Sequence, residues 1–477
     1  MESRLETREK EVRGGRLEAR DWMLGTRGWR LEVGSWILDV RWWRLEIRSW
    51  ILEARKLWLS KTLSSNFYLL TSILIFLFIS FVQETNAQTL DDYFKIALEN
   101  NPELQSKYKE FESALQKIPQ AKALPDPTFS VSALGQMTQT RTGQQMAIFS
   151  LSQMFPWFGT LKAQGDVYAL MAEAKHQAFL DTRNILCYQV SAAYYPLYEL
   201  NKWMIIEQEN IQILESYKSI ATIKFQNGMS SMVDVLRVDI MLKEASTNLS
   251  ILKQKKRPFE TRFNMLLSRN ATAVIAIADS LELPQIANDY RRDSLLINNP
   301  LLTELDLKIK ANEVSEKVAI KQGMPKLGVG FQYISVAQRT DANLPQNGQD
   351  AFMPMFTMSL PIFRAKYKAA QKEAQLMQAS FTLKKQAVNN SLISNYEMTL
   401  FEIQKQNNLL HLYDQQIIES QQSLNLLFTG YGNSGKDFEE VLRMQQQLLK
   451  YQKMKATAMT EYQIALAELD YITAKSK

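Results

Sequence analysis

Residues 363–429 read FRAKYKAAQKEAQLMQASFTLKKQAVNNSLISNYEMTLFEIQKQNNLLHLYDQQIIESQQSLNLLFT and contain neither glycine nor proline. An unbroken stretch of that length predicts a single helix roughly 100 Å long at 1.5 Å per residue. Globular helices average about a dozen residues. Residues 158–224 form a matching stretch interrupted only by Gly159, Gly165 and Pro196, and Pro196 would bend its helix. Each stretch ends at a glycine-bearing turn, 225–231 and 428–436, after which a second helical pattern returns. On the last return Phe438, Val441, Leu442, Leu448 and Leu449 share one face. The chain therefore holds two long hairpins of coiled-coil-like helices.

Working outward, the segments before the two hairpins repeat one another. Asn100-Asn101-Pro102 recurs as Asn298-Asn299-Pro300, Pro127 as Pro325, and Phe129 and Val131 as Leu327 and Val329. Further along, Phe158 answers to Phe363 and Val235-Leu236-Arg237 to Val441-Leu442-Arg443, in the same order. One unit is written twice, as residues 88–282 and 283–477, with a break near Leu283-Pro284. The first unit opens with a helical segment over 90–116, broken at Asn100-Asn101-Pro102, and then a Pro-marked turn, Leu124-Pro125-Asp126-Pro127. The period then changes from helical to alternating. Phe129, Val131 and Ala133 alternate with Ser130 and Ser132, and Phe149 and Leu151 with Ser150 and Ser152. In the second unit Leu327, Val329, Phe331 and Tyr333 alternate with Gly328, Gly330 and Gln332, and Phe356, Met358 and Leu360 with Thr357 and Ser359.

Strands apolar on one face and polar on the other suit a membrane β-barrel, and equally a half-buried soluble hairpin. Four strands cannot close a barrel, and open edges in hydrocarbon leave backbone groups without partners. Three copies would supply twelve strands, an even number with room for a lumen, above a cylinder of helices. The fold class expected is mainly α with a small membrane β part, and the expected shape is a conduit.

The first 87 residues stand apart. Residues 1–60 hold seven of the nine tryptophans and repeat every fourteen residues, with Trp22, Trp36 and Trp50 in phase beside Arg16-Leu17-Glu18, Arg30-Leu31-Glu32 and Arg44-Leu45-Glu46. A tandem DNA repeat translated in frame gives this pattern, so 1–60 reads as an extension outside the native fold, with the true start near 57–63. An amphipathic repeat lying on a membrane is the alternative. Residues 61–87 read as a secretory signal: Lys61, the apolar run 67–82, then Thr85-Asn86-Ala87 before Gln88. The run is short for a spanning helix, and no cysteine follows the cleavage point to carry a lipid.

Composition narrows the function. The chain has one cysteine, Cys187, and two histidines, His176 and His411, so neither a cysteine zinc site nor a His-based catalytic centre has material. No phosphate-binding glycine loop or paired catalytic carboxylates stand out, and neither an enzyme activity nor a cofactor is expected. Beyond residue 87 the chain carries 42 basic against 39 acidic residues, too balanced for a nucleic-acid partner. Met353, Met355 and Met358 cluster on the fourth strand. Thioethers bind Cu(I) or Ag(I), and methionine is also an adaptable apolar filler.

The stretches Ala97–Pro102, Leu124–Pro127 and Gln153–Gly159, with Phe225-Gln226-Asn227-Gly228 leading into Asp234-Val235-Leu236 and Asp437 leading into Val441-Leu442, resemble TolC-type outer-membrane efflux proteins. The resemblance covers residues 88–477, and the Leu-Pro-Asp-Pro turn with Gln-Met-Phe-Pro-Trp-Phe-Gly looks most like the heavy-metal efflux branch. It implies a homotrimer in the outer membrane of a Gram-negative bacterium, in contact with outer-membrane lipid. Its helical tube would stand in the periplasm and dock on a periplasmic adaptor and a proton-driven inner-membrane pump. Heavy-metal cations or drugs would be the cargo. A periplasmic adaptor or coiled-coil scaffold is the rival reading, although adaptors carry one hairpin and this chain has two.

Within that frame the tip candidates are Gly228, Asp234, Leu236, Gly432, Gly435, Asp437, Glu439, Glu440 and Leu442. Gly228 and either Gly432 or Gly435 would supply positive φ for the reversals. Asp234 and Asp437 would cap return helices or shape a closed entrance. Glu439 and Glu440 would form a carboxylate ring or a solvated face. Gly430, Gly432 and Gly435 make the second tip longer than the first. The barrel-rim turns are Pro125, Pro127, Pro156, Gly159, Pro325 and Pro361. N-terminal sequencing of the protein taken from its native membrane should begin at Gln88, whereas abundant peptides from residues 1–55 would show that the extension is translated.

Overall fold

The computed structural model describes residues 89–133, 138–283, 299–341, 344–434 and 438–475. The stretches read as an extension, 1–60, and as a signal, 61–87, lie outside them, as do most of the segment around the repeat boundary, Gly435 and Asp437.

Helix α1, Leu90–Asn100, starts at a capping box in which the Thr89 side chain accepts from the Asp92 amide while the Asp92 carboxylate accepts from the Thr89 amide at 3.0 Å. Helix α2, Pro102–Lys122, follows after one residue. The strands are β1, Thr128–Ala133, β2, Gln139–Thr140, and β3, Gly143–Phe155. The first hairpin is α3, Thr160–Gln226, and α4, Met232–Leu266. The second half repeats the order with α5, Pro300–Gln322, strands β4, Lys326–Ala337, and β5, Ala351–Ser359, and a hairpin of α6, Ala365–Ser434, and α7, Phe438–Ile472. Helices α3 and α6 hold 67 and 70 residues, so the expectation of two exceptional helices is met.

The recurrent Asn-Asn-Pro has a structural explanation. Proline at the first helical position sacrifices an amide that a helix leaves unpaired, and the asparagine before it caps the next amides. Asn101 accepts from Glu103 and Leu104 (3.0 and 3.1 Å), and Asn299 accepts from Leu301 (3.0 Å). The same two side chains reach across the fold in the other direction. Asn101 Nδ2 donates to the Leu266 carbonyl at the end of α4, and Asn299 Nδ2 to the Ile472 carbonyl at the end of α7 (3.2 and 3.0 Å). Each repeat thus ties the start of its ascending helix to the end of its returning one.

The sheet runs β1-β3-β4-β5, antiparallel throughout, and the short β2 adds a pair at the far end of β3. The two repeats join along β3 and β4. Register sets Phe129, Leu151 and Phe331 side by side, and Val131, Phe149, Tyr333 and Phe352 in the next apolar row. The other face carries Ser130, Ser150 and Gln332, with the two serine hydroxyls 2.6 Å apart. Phe352 is 74% and Phe356 85% exposed, so none of the described residues covers the apolar face there. The methionine group is split by the pleat: Met353 and Met355 share the polar face with Gly330 and Gln332, while Met358 lies with Leu327 on the apolar one. Among the described residues no helix is long and apolar enough to cross a membrane.

Helix α3 is the hub, packing on α2, α4, α5 and α7, while α6 packs on α5 and α7. Three apolar clusters are spaced along this array. One joins α1 to α3 and α4 through Tyr93, Val190, Tyr194 and Phe263, one lies at the hairpin tips, and one fills α6 and α7 around Ile403, Tyr462 and Leu469. Cys187 packs half-buried against the first cluster. The latches can be tested by thermal melts in detergent. Asn299→Ala, which loses both cap and cross-tie, should destabilise by about 1–3 kcal/mol. Asn299→Ser, which keeps the cap oxygen, should cost less.

Candidate functional site

The first tip is a compact reversal. Helix α3 ends at Asn227, Gly228 takes φ +69°, and the Met229 amide returns to the Lys224 carbonyl at 2.8 Å. Positive φ explains glycine there, as expected. The cap of α4 is Ser231, whose side chain accepts from the Val233 amide at 3.1 Å. This corrects the capping role expected of Asp234, which instead stands in the first turn, 4.0 Å from Arg237. A first-turn carboxylate still favours the helix N-terminus. Leu236 is exposed. Gly432 lies inside α6 and is not among the positive-φ glycines, so it makes no reversal; Gly435 and Asp437 fall outside the described residues.

The two tips are held together in part by groups the sequence did not single out, Lys224, Tyr431 and Tyr217. The Lys224 ammonium donates to the Tyr431 carbonyl, reaches the Gly432 carbonyl at 3.3 Å, and stands 4.1 Å from the Tyr431 ring centroid. Tyr431 stacks on Phe438 at 4.4 Å, and Tyr217 lies between Phe428 and Phe438 at 5.2 and 6.3 Å. Arg237 of α4 pairs with Glu439 of α7 at 2.9 Å, and Arg443 pairs with Glu440. Both glutamates, read as a carboxylate ring or a solvated face, have exposed side chains with an arginine beside each. Leu442 is a buried member of the tip cluster and offers no surface. The one visible signal for Arg237 was its place in the repeated Val-Leu-Arg run.

Away from the tip the seam between hairpins is polar. The Lys453 ammonium pairs with Glu207, which is only 1% exposed; Trp203 Nε1 donates to the Lys453 carbonyl at 3.2 Å, and the Thr457 hydroxyl donates to Glu199 at 2.5 Å. Gln445 donates to Asn210 at 3.3 Å. Each joins α3 to α7.

All six rim residues sit where helix and strand exchange. Pro125 and Pro127 precede β1, Pro156 follows β3, Pro325 precedes β4 and Pro361 follows β5. Gly159, at φ +74°, caps α3. Proline suits these corners because it fixes φ and cannot extend the ladder. Among the described residues no group of three or more His, Cys, Asp or Glu side chains is placed to hold a metal ion. His176 packs against Phe111 and Phe179, and His411 is exposed.

Residues 94–258 and 292–475 match the outer membrane efflux protein family. No curated protein matches the sequence. Among solved structures the fold is similar to the outer membrane protein VceC of Vibrio cholerae, with TM-score 0.65 and 15% identity over 80% of this chain and 95% of that one. The Campylobacter jejuni CmeC outer membrane channel gives 0.65 and 15%, over 80% and 85%. The open state of the Neisseria gonorrhoeae MtrE outer membrane channel gives 0.64 and 14%, over 81% and 89%. At these identities the likeness is one of fold.

One titratable group in the helical array is strongly displaced. Burial, and then the Glu304 carboxylate, push Asp181 up to about 6, against the pull of a hydrogen bond from Tyr471. Tyr471 is raised in turn to about 12 by burial and by Asp181. A carboxyl whose folded pKa is raised stabilises the fold below its unfolded value, and that contribution is lost as pH rises through the folded one. Melting temperature should therefore fall between about pH 4 and 6 through this group. Asp181→Asn should match the native protein near pH 4 and exceed it at pH 7.5, whereas equal curves for the two proteins at both ends would remove the effect.

Proposed function

The chain belongs to the outer membrane efflux protein family, whose members are channels and not enzymes, and from that premise we propose that three copies close into one continuous conduit. The observation that carries this reading is a sheet of four main strands and the short β2, with an apolar face that no described residue covers and two open edges, β1 and β5. Hydrocarbon tolerates no unpaired edge, so β5 of one copy would pair with β1 of the next to give twelve strands. The outer helices support the same closure. Helix α4 exposes Val233, Ile240 and Ile251, and α6 exposes Leu383, Ile418 and Leu426. Stripes of this kind are normally covered by another surface.

Placed in the outer membrane of a Gram-negative cell, the barrel would sit in lipid and the helices would reach about 100 Å into the periplasm. Ile223, Phe225 and Met229 are exposed at the first tip and suit the apolar faces of a periplasmic adaptor's helices. The adaptor would couple the conduit to a proton-driven inner-membrane pump, which would supply the energy. The pump selects the cargo. The turn motifs resemble those of the heavy-metal branch, which would put metal cations forward, with drugs as the other class.

Native mass spectrometry of the protein extracted from outer membranes should give a trimer that needs detergent. Ile240→Asp combined with Leu426→Asp should shift it to monomer. A native monomer released without detergent would return the chain to the scaffold class.

A further inference from the structure

Two adjoining cavities of about 720 and 500 Å³ lie where the four helices α2, α3, α5 and α6 meet the sheet, and both are lined by Lys326 and Lys366. Lys321 lines the larger. The strand residues at their walls are Met154, Lys326 and Ser359, all on the polar face by register, while Phe155, Leu327 and Met358 of the apolar face line neither. The cavities therefore open on the side of the sheet that faces away from lipid.

Three features suit them to an anion. No carboxylate lines either cavity among the described residues. Lys321 Nζ rests on the Phe158 carbonyl at 3.2 Å and Lys366 stands 4.8 Å from the Tyr367 ring, so neither charge is cancelled there. The N-terminus of α3 ends at the same place without a side-chain cap, leaving amides and the positive end of a helix dipole for a ligand. Its first residue supplies an independent sign: Thr160 is 3% exposed, lines the larger cavity, and its hydroxyl has no partner. A buried hydroxyl without a hydrogen bond is unfavourable and marks a place for a polar ligand. The chain segments meeting here, 117–127, 156–168, 317–326 and 360–372, carry ten Lys and Arg against two Asp, so the adjacent turns do not neutralise the site.

We propose that Lys321, Lys326, Lys366 and Thr160 form an oxyanion site, and that the trimer repeats it as a cationic ring where barrel and helices join. The ligand class is a solute bearing a phosphate or carboxylate. Basic rings favour anions in pores, and at physiological ionic strength a charge acts over about 8 Å, so the ring works on solutes passing close to the wall. Of the two cargo classes named above, the ring disfavours free metal cations and favours organic solutes that carry an anionic group. The ring rests on the trimeric conduit; the site in each subunit does not.

Two measurements separate these. In planar bilayers under a KCl gradient, the reversal potential of the native trimer should lie on the chloride side. The triple variant Lys321→Gln, Lys326→Gln, Lys366→Gln should move it towards potassium, and the triple arginine variant should restore it. An unchanged potential in the glutamine variant, or a potassium-selective native channel, overturns the ring. Calorimetric titration of detergent-solubilised trimer with inorganic phosphate at low salt should show saturable binding that Thr160→Val weakens and the glutamine variant abolishes. No binding to the native protein, or equal binding to all of these, overturns the site. Binding without any conductance upholds the site and sinks the conduit reading and the ring with it.

Discussion

A sheet that must not end governs this molecule. Its four strands present unpaired backbone at β1 and β5 and an apolar face that the chain itself leaves bare. In water that surface would aggregate, and in hydrocarbon its edges would be unsatisfied. Closure by identical copies, as proposed, would resolve both problems and would set the angular share of each copy. The helices below inherit that share, with two hairpins per chain and apolar outer faces on α4 and α6. Barrel and helical array are thus two solutions to one requirement for closure.

Repetition makes this economical. Each half climbs to the sheet on a helix that begins at Asn-Pro, turns at prolines, and descends on a helix of 67 or 70 residues. The latches of Asn101 and Asn299 fasten the return helix of each hairpin back to where the unit began. A capping asparagine uses its oxygen for the local helix, and its amide remains for a distant carbonyl. The same residue therefore serves local and tertiary structure.

The two hairpins are joined differently along their length. At the tips an aromatic stack of Tyr431, Phe438 and Tyr217 is bracketed by Lys224 and Arg237. Higher up, α3 and α7 meet through side-chain hydrogen bonds and the buried pair of Glu207 and Lys453. Polar contacts fix register between long helices and require their partners to stay in place, because an isolated buried charge is costly. A conduit needs walls of this kind, with rigid helices and a defined junction at the tips.

By itself the sequence determined the helices, the strands and their repetition. Absence of glycine and proline over residues 363–429 leaves one long helix, and alternation of Phe129, Val131 and their equivalents leaves strands with two unlike faces. It also located the rim turns and the reversal at Gly228, because proline and glycine restrict or extend the backbone locally. Partners were not legible. Glu439 gave no sign of its partner until Arg237 of α4 was seen beside it. Leu442 looked available until the tip core enclosed it. Lys321, Lys326 and Lys366 were unremarkable on α5, β4 and α6, and only their convergence around Thr160 gave them a common role. Periodicity states which face a residue occupies, whereas the neighbour across that face comes from a segment up to two hundred or more positions away. That choice belongs to packing and register, which only the tertiary structure decides.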